Sequence, residues 1–139
     1  MDPTVWGRGL WIFIHSVALN YPEHPGPIDK KNVYNFFTNL ENVIPCSTCR
    51  NNYNLHMNKL PLSSYLNNKN DLFKWTVEMH NIVNSDLGKP ILTVEQAKNI
   101  YKNMYLNKKT KIFNMNNKNL LIFFLIIIIL FMFYFLLKK

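Results

Sequence analysis

The chain contains two cysteines, in the run Pro45-Cys46-Ser47-Thr48-Cys49-Arg50. On one turn of helix, a C-x-x-C brings both sulfurs close enough to close and reopen a small disulfide. The N-terminal end of a helix also favours thiolate, because its unpaired N–H groups and dipole stabilise negative charge. The first reading is therefore redox chemistry. The same spacing admits half of a zinc site or a pair of buried structural thiols. A zinc site would need His56 and one more ligand. Six residues separate Cys49 from His56 and no second C-x-x-C exists, so no metal is expected.

Two further groups of residues do not fit a plain helical core. Trp11 and His15 are spaced i and i+4, so one helix face carries both. Gly7, Arg8 and Gly9 precede them by a turn. Glycines there let another group approach the backbone, and Arg8 could meet a phosphate. Farther along, His80, Val83, Asn84 and Leu87 form an i, i+3, i+4, i+7 stripe that reads as core-facing, with Asn81 beside it. Buried polar groups need partners. One account has His15, His80 and the asparagines bonding each other across the fold. Taken singly, each histidine reads as core or surface. Taken together, they suit a flat polar and aromatic ligand, such as an isoalloxazine or adenine ring, stacked on Trp and His. A dithiol gives up two electrons as it closes, and a flavin accepts two.

The elements that must position these residues are helical. Thr4 can cap a helix over about 4–20, which ends before Tyr21-Pro22. The PEHPGP run at 22–27 is a turn-rich connection. Asp29 can cap a second helix, 30–44, with Val33, Phe36, Phe37, Leu40, Val43 and Ile44 at helical spacing. Pro45 stops it just ahead of a third helix, 46–58, with the cysteines in its first turn. Pro61 and Ser63-Ser64 mark a loop. A fourth helix covers 69–87 and stops at Gly88. Thr93 and Gln96 form a capping box for a fifth, 94–106, with Ala97, Ile100, Tyr101, Met104 and Tyr105 inward. No segment alternates as a strand. The fold class is all-α, a four-helix bundle with a short fifth helix.

The 139 residues divide into a domain at 1–106, a basic polar linker at 107–119 and an apolar segment at 120–137. That last segment, LLIFFLIIIILFMFYFLL, has 18 residues and no charge. As a helix it spans roughly 27 Å, near the thickness of a bilayer core, so a C-terminal transmembrane helix is expected. The N-terminus does not resemble a signal peptide. Lys108, Lys109, Lys111 and Lys118 precede the segment and Lys138 and Lys139 follow it. That bias places the domain on the cytosolic side. A lone C-x-x-C there is no disulfide framework. The net charge is +8, and much of it lies near the membrane junction. With no clustered arginines and no nucleic-acid motif, nucleic acid is not an expected partner. Asparagine accounts for 21 of the 139 residues, so single asparagines carry little signal.

Three blocks together resemble the Erv/ALR family of FAD-linked sulfhydryl oxidases, over roughly residues 6–106. They are Gly7-Arg8-x-x-Trp11-x-x-x-His15-x-x-Ala18 with Tyr21-Pro22; Pro45-Cys46-x-x-Cys49; and Trp75 with His80-Asn81-x-Val83-Asn84-x-x-Leu87-Gly88-Lys89-Pro90. The middle block alone is weak, and the order and spacing of all three make the match specific. The resemblance implies a helical bundle holding FAD, with Cys49 against the flavin and Cys46 receiving electrons from a substrate dithiol. It implies that Gly7, Arg8, Trp11, His15, Tyr53, His80, Asn81, Val83, Asn84 and Lys89 line the cofactor site. It also implies a homodimer.

Two features depart from the cellular members. Many of those carry a cysteine two residues after the tryptophan of the third block, where this chain has Val77, and many carry a shuttle disulfide in a tail. The compact form looks like that of large DNA viruses. The resemblance implies disulfide formation in a partner dithiol, on a thioredoxin-like carrier or a viral protein. Oxygen would accept the electrons and give hydrogen peroxide, at a virion or endoplasmic reticulum membrane. The alternative is a flavin-free thiol–disulfide carrier anchored to a membrane.

Overall fold

The computed structural model describes residues 1–138, and the side chains of 107–116 lie outside the described set. Five α-helices follow one another, with no strand among the described residues. Helix α1 spans Pro3–Leu19. Its cap is Asp2 and not Thr4: the Asp2 carboxylate accepts from the Thr4 amide at 2.8 Å. Pro3 follows at the first helical position, where a missing N–H costs nothing. Helix α2 spans Pro27–Val43 and likewise opens on a proline. It starts ahead of Asp29, whose carboxylate sits inside the first turn and reaches back to the Gly26 amide at 2.9 Å.

Helix α3 spans Ser47–Lys59, behind Pro45 and with Cys46 as its cap. The expected loop after it contains one short 3-10 turn, Leu62–Tyr65. Helix α4 spans Lys69–Asp86, capped by the Asn68 side chain, which accepts from the Asn70 and Asp71 amides. It stops where Gly88 takes a φ of 64°, a left-handed conformation that suits glycine. Helix α5 spans Val94–Leu137. Its capping box is reciprocal: Gln96 accepts from the Thr93 amide at 2.8 Å, and the Thr93 hydroxyl accepts from the Gln96 amide at 3.2 Å.

The chain forms two units, Met1–Ala97 and Lys98–Lys139. In the first, α1 packs along α4, and α3 contacts both α2 and α4. Trp75 is its fully buried centre. The Phe37 ring of α2 meets it edge-on at 4.9 Å, and its indole N–H donates to the Leu60 carbonyl at 3.0 Å. Burying the indole while satisfying its donor avoids the cost of an orphaned polar group. The Tyr53 hydroxyl donates to the Phe37 carbonyl at 2.9 Å, and the Tyr21 hydroxyl to the Leu66 carbonyl at 3.1 Å. Val77 is buried apolar core.

Helical spacing marked the apolar stripes but did not reveal which would be covered. Val43, Leu87, Ile100, Met104 and Tyr105 are all exposed. In the second unit, Asn117–Leu137 is long and apolar enough to cross a membrane, with a mean hydropathy of 3.3. The expected linker at 107–119 falls largely on 107–116, outside the described side chains, and so do Lys108, Lys109 and Lys111.

Phe37 has no exposed surface and wedges against the central tryptophan. Phe37→Ala should therefore cost about 3–5 kcal/mol of unfolding free energy, whereas exposed Ile28→Ala should change it by less than about 0.5 kcal/mol. Urea unfolding followed by tryptophan fluorescence measures both.

Candidate active site

Cys46 and Cys49 are joined in a disulfide. Cys46 stands just outside α3 in extended backbone, and its sulfur accepts the Cys49 amide at 3.2 Å. The sulfur thus takes the place that a Ser or Asp oxygen takes at other helix caps. Both cysteines are half-buried, while Pro45, Ser47 and Thr48 are exposed. The carbonyl of Ile44 accepts from the Cys46 amide and from Nη1 of Arg50, each at 2.8 Å. Such a pair, at the surface end of a helix with a sulfur already aligned on a backbone N–H, can accept electrons from an outside thiolate.

The second cluster lies between α1 and α4. His15 is buried, and its Nδ1 is 2.9 Å from the Thr76 hydroxyl oxygen. The Thr76 hydroxyl donates its one proton to the Phe73 carbonyl at 2.7 Å. It must therefore accept from His15, which fixes the His15 proton on Nδ1. His15 Nε2 is then an acceptor, and it lies 3.1 Å from His80 Nδ1. That contact requires the His80 proton on Nδ1, which leaves His80 Nε2 as a lone-pair acceptor. The His80 ring stacks on Trp11 with centroids 4.0 Å apart and planes within 5°.

Burial, with His80 close by, lowers His15 to about 3. Burial, with Lys89 adding repulsion, lowers His80 to about 4. Both rings are neutral at neutral pH, as the hydrogen-bond chain demands.

The asparagines do something other than bond the histidines. Asn81 makes a two-way clip to the Leu92 backbone, donating to its carbonyl at 2.8 Å and accepting from its amide at 3.0 Å. Asn84 donates to the Pro90 carbonyl at 3.1 Å, and its own carbonyl accepts from the Lys89 amide at 2.8 Å. Together they strap the 88–92 segment, and with it Lys89, onto the end of α4. The stripe from His80 to Leu87 is half-buried and ends on an exposed leucine, so it is not the core-facing stripe its spacing suggests. Val83 is half-buried within it.

Arg8 is exposed on α1, and around Gly7 and Gly9 no atom lies within 4 Å of where a Cβ would stand. Beside them, the Trp6 indole nitrogen is buried with no partner. Tyr53 is a core residue, its ionisation raised out of reach by burial, and its hydroxyl is spent on Phe37. His56 Nε2 lies 3.1 Å from Asp86 Oδ2, a contact by distance that lacks hydrogen-bond alignment. Among the described residues, no three His, Cys, Asp or Glu side chains gather as metal ligands.

Sequence reading missed Thr76 and Arg50. Thr76 sits one position after Trp75, and a single hydroxyl between Trp75 and Val77 gives no sign of its partner. Arg50 directly follows the C-x-x-C, and its basic character beside a redox pair was the signal available.

The Erv1 / Alr family matches residues 8–103. A probable FAD-linked sulfhydryl oxidase of Acanthamoeba polyphaga mimivirus is 45% identical over 98 residues, covering 70% of this chain and 68% of that protein. An FAD-linked sulfhydryl oxidase of African swine fever virus is 34% identical over 102 residues, covering 73% and 84%. The crystal structure of the FAD binding domain of Erv1 from Saccharomyces cerevisiae superposes with a TM-score of 0.69 at 27% identity, over 74% of this chain and 96% of that one. The redox pair, the histidine–tryptophan cluster and the helical frame fall within the matched region, and the chain belongs to the Erv1/Alr family.

Proposed function

We propose that this chain is an FAD-dependent sulfhydryl oxidase that forms disulfides in protein dithiols through Cys46 and Cys49. The observation that carries the reading is the Cys46–Cys49 disulfide capping α3, in a chain matched by the family over residues 8–103.

The residues present fit FAD. The stacked Trp11–His80 pair offers a flat aromatic face. His80 Nε2 offers an acceptor and the buried Trp6 N–H an unused donor. Space is open around Gly7 and Gly9, and Arg8 and Lys89 carry charge suited to a pyrophosphate. Gly7, Arg8, Trp11, His15, His80, Asn81, Val83, Asn84 and Lys89 would hold the group, Asn81 and Asn84 by strapping the segment that carries Lys89. Tyr53 would support the site from the core. Bound FAD would supply a two-electron sink, with oxygen as the final acceptor and hydrogen peroxide as the product.

The chain's own part begins with a substrate thiolate attacking Cys46. The Cys46–Cys49 bond breaks and a mixed disulfide forms. The substrate's second thiol resolves it and leaves both cysteines reduced. Cys49 would be the sulfur that passes the electrons on to the cofactor. Electrons would enter at Cys46, from a thioredoxin-like carrier or a viral protein. The apolar helix at Asn117–Leu137 would anchor the oxidase domain in a membrane. The lysines before it favour a cytosol-facing domain at a virion or endoplasmic reticulum membrane. The working form would be a homodimer.

The absorbance spectrum of the full chain purified in detergent tests the reading. Flavin bands bleached by dithiothreitol and restored by air are the expected result. A folded, colourless chain unchanged by added FAD would leave a flavin-free thiol–disulfide carrier instead. Cys46→Ser and Cys49→Ser should each abolish dithiol oxidation while the protein stays yellow, and full turnover in Cys49→Ser would reverse the assigned roles.

The neutral histidines set a pH dependence. The unfolded chain takes up protons on both rings near pH 6.5, but the folded chain does so only near 3 and 4. Stability should therefore be complete above about pH 6.5 and fall as pH drops towards 3. Flavin should be released as His80 protonates near 4. Melting temperature and released-flavin fluorescence against pH measure the two effects, and a midpoint of release near 6.5 would contradict the buried neutral pair.

A further inference from the structure

We propose that Arg50 is a positioning residue for the redox pair: its guanidinium fastens the Ile44-Pro45-Cys46 turn and holds positive charge at the turn that carries Cys46. Arg50 is tied on both sides of that turn. Its amide donates to the Cys46 carbonyl at 3.0 Å. Its Nη1 donates to the Ile44 carbonyl at 2.8 Å. The same Ile44 oxygen accepts the Cys46 amide at 2.8 Å. One carbonyl thus gathers the cysteine backbone and the guanidinium, with Pro45 between them stiffening the link.

The placement breaks a local rule. Arg50 lies in the opening turns of α3, where a cation opposes the helix dipole. A cation is favourable at the other end of a helix, and the guanidinium reaches the carbonyl end of α2. The side chain serves the junction between the two helices, at a small cost to its own. A local conflict of this kind is expected where function sets the residue. Glu41 of α2 faces α3 but is bonded to Asn54. His56 and Lys59 of α3 lie at the opposite end, with Asp86 of α4 against His56.

The consequence lies in the resolving step, and here the inference rests on the oxidase reading. The substrate's first thiolate bonds to Cys46, and Cys49 leaves with the electron pair of the broken disulfide. The substrate's second thiolate then bonds to the first substrate sulfur, and Cys46 leaves with its pair. The substrate loses two electrons, the cysteine pair gains them, and the substrate's two thiol protons pass to solvent. A leaving thiol departs faster when its thiolate is stabilised. The Cys49 amide already points at the Cys46 sulfur. Arg50 holds the turn in that alignment and adds charge that a guanidinium keeps across the working pH range.

The test needs no turnover. The full chain in detergent is reduced, desalted without oxygen and alkylated with iodoacetamide from pH 4 to 9, with Cys46 followed by mass spectrometry. Arg50→Met should raise the midpoint by about 0.5–1 pH unit and slow Cys46 alkylation at pH 6 about 3–10-fold. Arg50→Lys, a cation without the planar fork, should fall between. A wild-type profile in a folded Arg50→Met chain overturns the proposal. If that variant does not fold, Arg50→Gln keeps a donor for Ile44 without the charge, and an unshifted profile there overturns it equally. A colourless wild-type chain would sink the oxidase reading and leave this comparison of midpoints intact.

Discussion

The hydrogen bond from His15 to Thr76 is the contact on which the site depends. It joins α1 to α4 across 61 residues of sequence, in a buried place where a charged ring would pay heavily for lost solvation. Because the threonine proton is committed to the Phe73 carbonyl, proton positions follow without freedom: His15 on Nδ1, then His80 on Nδ1. His80 Nε2, at the ring edge, is left as an acceptor, and the Trp11 ring stacks on the His80 ring. One buried hydroxyl thus links two helices and sets the tautomers of two rings.

The redox pair is built on a different logic. It uses the open ends of helices, where backbone groups lack partners. The Cys49 amide in the first turn of α3 meets a sulfur, and a carbonyl beyond the end of α2 meets a guanidinium. Those contacts are near the surface, so an outside thiol can reach the disulfide. Without a second disulfide, bracing falls to packing. Val77 packs into the core, and buried hydroxyls of Tyr21 and Tyr53 tie distant loops and helices together.

The asparagines show why composition misleads here. They are so frequent that no one of them stands out, and their side chains can donate and accept equally well. Helical spacing alone suggests that Asn81 and Asn84 bond the histidines across the fold. They instead bind backbone groups of the segment that follows α4, and so they position Lys89 indirectly.

The sequence by itself determined what local chemistry and periodicity can carry. Pro45 and the C-x-x-C gave a helix start with a redox pair. Thr93 and Gln96 gave a capping box, Gly88 a helix stop, and the uninterrupted apolar run a segment fit for a bilayer. The order and spacing of the three blocks gave the family and the all-α frame. Cap positions were less legible, as at Asp2 and Gly26, because neighbouring residues compete for the same amides. Tertiary structure alone decided the partners of His15, His80, Thr76, Asn81, Asn84 and Arg50, and which apolar stripes would be covered. Those outcomes depend on atoms brought within about 3 Å by packing, and no side chain carries in its own identity the address of a partner that folding supplies.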